Sequence, residues 1–196
     1  MAKDDTIDTR PIPKRPENGL LAWQATIGYI SSQYSLDAML TAQAAALDDG
    51  RVVWSAAASW GRNRESVEGL PSLPAALREL WREVDRNHVI FETRGALLKR
   101  PANYAENEWL DADTAAILER LVHVTGAVYG GDWHIVLMYQ PVESPASRFQ
   151  ARLLAKGGAI QIGAHGASLR DACHTLYRNA APHYAAHSGK TLADLT

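Results

Sequence analysis

The sequence predicts an α+β protein made of two β-β-β-α halves, with one extra helix between them and with antiparallel sheets covered by helices. Four short segments alternate apolar and polar residues, which is typical of half-buried strands, and residues 133–140 form a strongly β-branched and apolar run. Three other segments repeat apolar residues every three or four positions, as amphipathic helices do. The expected boundaries are a disordered tail over 1–19, a first unit over 20–91, a linker and connecting helix over 92–126, a second unit over 127–187 and a tail over 188–196.

Three strands are expected in the first unit, over residues 21–30, 35–47 and 51–60, because every second side chain in them is apolar. Asp49-Gly50 between the last two strands supplies the positive φ that a hairpin turn needs. These two strands should therefore be antiparallel. Residues 61–71 are expected to form a loop.

An amphipathic helix should complete the first unit. Ser72 is a suitable N-cap, Pro74 fits the first turn, and apolar residues then recur at helical spacing. Residues 88–91 are expected to form a short strand, and the mixed stretch over 92–110 an irregular linker.

The connecting helix is expected to begin at Asp111 or Asp113 and to end at Gly126. The second unit then repeats the order of the first. Its three strands and one helix are expected over residues 133–140, 148–155, 159–163 and 168–179.

The helices that close the two units share a sequence pattern. The segment that starts at Ser72 aligns with the one that starts at Ser168, in the pattern Ser-Leu-x-x-Ala-x-x-x-Leu-aromatic-Arg. Upstream, the turn at Gly50 aligns with the turn at Gly158. These matches indicate an internal duplication, and chance similarity between two amphipathic helices is the alternative. A leftover edge strand could pair with a second copy, which favours a homodimer.

Composition excludes several classes of protein. The chain is 46% hydrophobic and 21% charged, which is typical of a globular protein rather than of a disordered one. It lacks the roughly 18 uninterrupted apolar residues of a membrane span. A single Cys excludes an intrachain disulfide, and the N-terminal tail lacks the apolar core of a secretory signal. These features favour the cytoplasm and no contact with a membrane.

No catalytic motif is recognisable. The chain lacks a phosphate-binding loop with Gly-Lys-Ser/Thr, a Gly-x-Ser-x-Gly nucleophile elbow and a pair of cysteines for zinc. No catalytic residue and no cofactor are therefore predicted. Cys173 is expected to be a small core residue, because His174 points about 100° away from it on a helix and cannot act as its base.

One candidate ligand site is the turn that contains Gly163, His165, Gly166 and Ser168, between a strand and a helix. Free N–H groups at a helix N-terminus can bind an anion, and His165 could bind or transfer a proton. The alternative is that the glycines only shape a tight connection and that Ser168 caps the helix.

A candidate metal pair is formed by His183 and His187, which are four residues apart. On a helix both would lie on one face, the spacing that a metal pair uses. No Asp or Glu lies beside them, and the alternative is two solvent-exposed histidines near the end of the chain.

A third candidate site is basic and would bind nucleic acid. Its residues are Arg78, Arg82, Arg86, Arg94, Lys99 and Arg100. The first three are spaced by four along one helix and could follow a row of phosphates. Acidic residues alternate with them on the same helix, which favours an ordinary solvated face.

In its order of elements, the second half with the connecting helix is similar to double-stranded RNA-binding domains. Those domains carry two lysines at the start of their last helix, where this chain has Arg170 next to Asp171. Tryptophans could stack on bases if they were exposed. Trp54, Trp60 and Trp81 lie on apolar faces, however, and are expected in the core.

These features predict a non-catalytic cytoplasmic interaction or regulatory protein that binds another macromolecule, above all a protein. The loops over 61–71 and 92–110 are the expected contact surfaces. Two alternatives stay open: a nucleic-acid-binding protein that uses the basic helix, and a small enzyme with a His-based or metal site in the C-terminal half. An uncovered apolar sheet face would favour a protein partner or a dimer, and a basic aromatic face would favour nucleic acid.

Overall fold

The structure, a computed structural model, describes residues 16–34, 37–87, 104–141 and 143–190. Their helices are α1 (Gly19–Tyr34), α2 (Leu73–Asn87), α3 (Ala112–Tyr129) and α4 (Leu169–Ser188), and their strands are β1 (Ala38–Ala46), β2 (Val52–Trp60), β3 (Asn63–Leu70), β4 (Trp133–Tyr139), β5 (Phe149–Ala155) and β6 (Ile160–Gly166). None of these helices is long and apolar enough to cross a membrane. The strand predicted over 88–91 lies outside the described residues, as do most of the predicted linker and most of both tails.

The strands form one antiparallel sheet in the order β3-β2-β1-β4-β5-β6. Two meanders, β1-β2-β3 and β4-β5-β6, join edge to edge where β1 pairs with β4 and Ala42 lies opposite Leu137. The predicted α+β class with antiparallel strands is therefore confirmed.

One face of the sheet packs against helices. In β2 the buried side chains are those of Trp54, Ala56, Ala58 and Trp60, and they alternate with half-buried ones. The helix α1 packs on β1, α2 on β2 and β3, and α4 on β5 and β6. Because side chains alternate along each strand, every second residue enters the core and the others line the opposite face.

Indole rings fill the space above the alanine-rich strands. The ring of Trp23 in α1 meets that of Trp81 in α2 edge to face, with their centroids 4.8 Å apart. The Nε1 of Trp23 donates a hydrogen bond to the carbonyl of Leu77 at 3.0 Å, which satisfies its buried polar atom. Trp54 and Trp60 are buried as well, so the core positions expected for Trp54, Trp60 and Trp81 are confirmed.

The first predicted strand, over 21–30, is wrong because these residues belong to α1. Trp23, Ile27 and Ile30 are buried and recur at helical spacing. Other apolar residues lie between them, and this nearly continuous hydrophobicity imitates the period of two. The side chain of Asn18 accepts a hydrogen bond of 2.9 Å from the N–H of the first turn, as an N-cap does.

The loop predicted over 61–71 is also wrong, because most of it forms β3. The sequence conceals this strand since it lies at the edge of the sheet. Arg64, Ser66 and Glu68 are exposed, and Val67 is only half-buried on the side of the helices. Charged residues are typical of edge strands, where they oppose pairing with other chains.

Two helices are longer than predicted. Asp111 is the N-cap of α3 as expected, and its carboxylate accepts a hydrogen bond of 2.8 Å from a backbone N–H. Gly126 lies inside α3 rather than at its end, and the C-cap is Gly130 with a φ of 67°. The last helix, α4, passes its predicted end at residue 179 and continues through Pro182.

Each half therefore has the order helix, three strands, helix. The elements of the second half begin 93 to 97 residues after their counterparts in the first. The alignment of the turns at Gly50 and Gly158 is wrong, because Gly50 lies between β1 and β2 whereas Gly158 lies between β5 and β6. The internal duplication stays a prediction.

Candidate functional site

The candidate site is the face of the sheet that lies opposite the helices, which we call the open face. Three rows of neighbouring residues cross it, and the cross-strand register defines each row. The rows are Ser66, Ala57, Thr41, Met138, Gln150 and His165; then Ser55, Gln43, Val136, Arg152 and Gly163; then Val53, Ala45, His134, Leu154 and Gln161. No helix of the described residues packs on these rows.

The middle of the open face is apolar. Val136 and Met138 of β4 and Leu154 of β5 are half-buried there. They have no covering element within the described residues, whereas their neighbours in sequence are buried under the helices. Apolar side chains in such a position are typical of a contact surface rather than of a fully solvated sheet.

Two shallow depressions flank Val136. The first lies toward β3 and is lined by small side chains and by polar ones, including Ser55, Arg64 and Glu68. The second lies toward β6 and is lined by Met138, Leu154 and Arg152, among others. The open face thus offers an apolar centre with polar rims, which is the usual arrangement of a protein interface.

Hydrogen bonds hold several polar side chains of the open face in place. The Nε2 of Gln43 and the Nδ1 of His134 lie 2.9 Å apart. Arg152 donates to the Oε1 of Gln150 at 3.2 Å. The rims of the apolar centre are therefore ordered by contacts within the sheet.

The residues of the predicted anion site near His165 lie partly on β6 and partly at the N-cap of α4. Gly163 and His165 are exposed on β6, and the backbone carbonyl of Gly163 accepts a hydrogen bond from Asn179 of α4 at 3.1 Å. His165 stands opposite Gln150 at the rim of the open face. Its binding role stays a prediction.

The other two residues of that site shape the start of α4. Ser168 is the N-cap, and its Oγ accepts a hydrogen bond from the N–H of Asp171 at 3.1 Å. The same hydroxyl donates to the Asp171 carboxylate at 2.8 Å, which places a negative charge where an anion would bind. Gly166 packs directly against this first turn. These contacts favour the structural alternative for the turn.

The predicted metal pair is exposed on α4. The ring of His187 stacks on that of Tyr129, with centroids 5.2 Å apart. His183 is exposed one turn earlier. Within the described residues, no cluster of three or more His, Cys, Asp or Glu side chains could hold a metal ion. The pair has no third ligand there, and metal binding stays a prediction.

The basic site is only partly described, because Arg94, Lys99 and Arg100 lie outside the described residues. On α2, Arg82 pairs with Glu79 at 2.8 Å and Arg86 pairs with Glu83 at 2.7 Å. Arg78 is half-buried on the same helix.

Of the three arginines of α2 predicted to contact phosphates, Arg82 and Arg86 are therefore paired with acidic residues of the same helix. Arg170, at the start of the last helix, pairs with Asp113 of α3 at 3.0 Å. Both arrangements are typical of solvated helix surfaces. Nucleic-acid binding stays a prediction.

Cys173 is a core residue, as expected. Its side chain is fully buried, and burial raises the pKa of its thiol to about 12. A thiol in this environment stays protonated at neutral pH and is a poor nucleophile.

Sequence reasoning missed the open face because it assigned one of the three strands of the first half to the wrong segment. The signal was present in β4 and β5, where Val136, Met138 and Leu154 interrupt the alternation that a solvated outer face would show. An apolar outer face on two adjacent central strands is typical of a surface that contacts another element or another molecule.

No match was found when the chain was compared with models of protein families, with curated proteins and with solved structures.

Proposed function

We propose that the protein is a non-catalytic interaction protein that binds another protein through the open face. The observation that carries this proposal is the half-buried apolar centre at Val136, Met138 and Leu154, which no described element covers. A rigid sheet backed by helices presents these side chains in a fixed arrangement, so that binding requires little ordering.

The size of the open face supports this function. With strands spaced about 4.8 Å apart and a rise of about 3.3 Å per residue, six strands of seven residues cover on the order of 650 Å². A standard protein interface buries roughly 800 Å² on each partner. The open face with its surrounding turns is therefore large enough for a specific partner.

The chemistry of the open face favours a protein over a nucleic acid. Its three rows contain no aromatic residue that could stack on a base. Within the described residues, Arg64 and Arg152 are the only Arg or Lys side chains that line its two depressions, and Glu68 lines the same depression as Arg64. Affinity for a phosphate backbone requires several uncompensated cations, which this surface does not offer.

Substitutions at the centre of the open face test the proposal. Met138→Arg places a charge in the apolar centre but leaves the buried face of β4 unchanged. We expect proteins captured from a cell extract by the original chain to be lost with Met138→Arg, and the affinity of the purified partner to fall at least tenfold. Arg178→Glu, on the exposed side of α4, is the control and should retain them.

Three measurements define the outcome. Circular dichroism should show that both variants fold. Light scattering should show whether the captured partner is a second copy of the chain. Equal affinity of the partner for the Met138→Arg variant and the original chain would refute the proposal, as would fluorescence anisotropy that shows tight, salt-dependent binding of an oligonucleotide.

A further inference from the structure

A second surface lies on the other side of the sheet, where α2 and α3 leave a gap. The helix α3 packs against α4, whereas α2 packs against β2 and β3. Between α3 and the start of α2 is a cleft of about 400 Å³, which we call the α2–α3 cleft. Small-molecule sites in proteins have volumes of roughly 300–1,000 Å³.

The lining of the α2–α3 cleft is predominantly apolar. Val52 and Trp54 of β2 form one wall, and Leu118 and Val122 of α3 form another. Pro74 closes the end near the start of α2. An apolar ligand in this cleft would lose its contact with water on several sides, which is the main source of affinity in such sites.

The corresponding corner of the second half is closed by side chains. There Tyr139, Phe149 and Leu169 meet Leu20 of α1 around a space of only about 20 Å³. The rings of Tyr139 and Phe149 lie in contact, with centroids 5.0 Å apart. Bulky residues thus fill this corner, whereas the described residues leave the α2–α3 cleft open.

One charged group lies at the mouth of the α2–α3 cleft. The carboxylate of Glu119 is exposed, and it makes no ion pair or hydrogen bond with any described residue. The next residue, Arg120, points about 100° away around α3 and lines a different depression together with Arg170. The cleft therefore combines an apolar interior with an uncompensated negative charge at its mouth.

We propose that the α2–α3 cleft binds a small apolar molecule that carries one positive charge. Its apolar part contacts Val52, Trp54 and Leu118, and its cationic group lies beside the Glu119 carboxylate. Complementary charge orients the ligand, and apolar burial supplies most of its affinity. This site lies across the sheet from the open face and does not depend on it.

Three compounds with the same alkyl chain test this proposal by calorimetry: decylamine and decanoate below their micelle concentrations, and decanol below its solubility limit. We expect decylamine to bind most tightly. Glu119→Gln should weaken the binding of decylamine by roughly 1.5- to fivefold, the range of an exposed ion pair, and leave the binding of decanol unchanged. Glu143→Gln, another exposed acid, is the control and should change neither affinity.

Two neighbouring alanines of α3 show whether the ligand occupies the cleft. Ala115 lines the α2–α3 cleft, whereas Ala116 faces the depression on the other side. Ala115→Phe should abolish binding of decylamine, and Ala116→Phe should retain it. In the unsubstituted protein, NMR shifts caused by decylamine should concentrate at Val52, Trp54 and Val122.

The proposal would be overturned by three results. Any one of them is sufficient: decylamine does not bind, Glu119→Gln weakens decylamine and decanol equally, or the NMR shifts lie far from the cleft. Met138→Arg, on the open face, should not alter decylamine binding. Loss of the protein partner without loss of decylamine would therefore separate the two functions.

Discussion

The strand β6 contains two glycines, Gly163 and Gly166, whose surroundings predict opposite effects of the same substitution. A Cβ on Gly166 would lie 2.9 Å from the carbonyl carbon of Asp171 and closer still to the nitrogen of Ala172. Both are backbone atoms of the first turn of α4 and cannot rotate away. Gly166→Ala must therefore displace α4, which packs on β5, β6 and α3.

Overpacking of this kind costs about 1–3 kcal/mol of unfolding free energy. For a chain of this size, each kcal/mol corresponds to about 2–4 °C, so the melting temperature should fall by about 2–12 °C. Urea titration followed by circular dichroism measures the free energy, and a thermal scan measures the melting temperature.

Gly163, three residues earlier on the same strand, is the matched control. No atom lies within 4 Å of a Cβ added there, and its φ is not in the left-handed region. Gly163→Ala should stabilise the protein by about 0.5–1 kcal/mol, because alanine loses less backbone entropy in a strand. Equal stability of the Gly166→Ala variant and the original chain, or equal destabilisation by both substitutions, would refute the reasoning.

Three further predictions concern buried and capping groups. Tyr184→Phe should lower the unfolding free energy by about 1–2 kcal/mol in urea titrations, because it leaves the buried hydroxyl of Thr125 without its hydrogen-bond partner at 2.7 Å. The double variant with Thr125→Val should lose less unfolding free energy than the two single variants lose together. Asp111→Ala should cost about 0.5–2 kcal/mol at pH 7 through loss of the cap of α3. Burial raises the pKa of Asp111, but the hydrogen bonds from Thr114 outweigh this effect and hold the pKa below its ordinary 3.8. The free-energy cost of Asp111→Ala should therefore shrink as the pH falls below 3.8. A cost that is unchanged at about pH 3 would contradict this prediction. Cys173 should react with a thiol reagent at pH 8 only when the chain is unfolded, because burial raises its pKa to about 12, and fast labelling of the native protein would be the contrary result.

The sequence predicts the second half of the fold well because β4 is a strongly apolar run and most of β5 alternates. On β5, Phe149, Ala151 and Leu153 are buried and separated by less buried residues. The following helix has a recognisable cap in Ser168. Where local pattern and burial agree in this way, the element can be assigned without knowledge of its neighbours.

The first half is harder to predict because its local patterns conflict with its burial. The helix α1 is apolar almost all round, so its alternating residues imitate a strand. The strand β3 has Val67 among charged and small residues, so it imitates a loop. Only tertiary pairing resolves these cases, since the pairing of β3 with β2 cannot be read from either segment alone.

The candidate sites also differ in whether one segment of sequence or tertiary pairing determines them. The capping role of Ser168 could be predicted from one segment, because a cap is local. The open face could not, because Thr41, Met138 and Gln150 become neighbours only through the β1–β4 and β4–β5 pairings. The α2–α3 cleft likewise joins Val52 to Val122, which are distant in sequence.

The two halves fill their shared core in different ways, and the cleft lies to one side of this difference. The inner face of β4 carries Trp133, Ile135, Leu137 and Tyr139, whereas that of β1 carries Ala38, Leu40, Ala42 and Ala44. Small side chains under a helix require either closer approach of the helix or an additional group to fill the space. Trp23 and Trp81 occupy part of that space above the first half. The α2–α3 cleft lies beyond these rings, beside Val52 and Trp54 at the start of β2, so its room comes from the gap between α2 and α3 rather than from the alanines of β1.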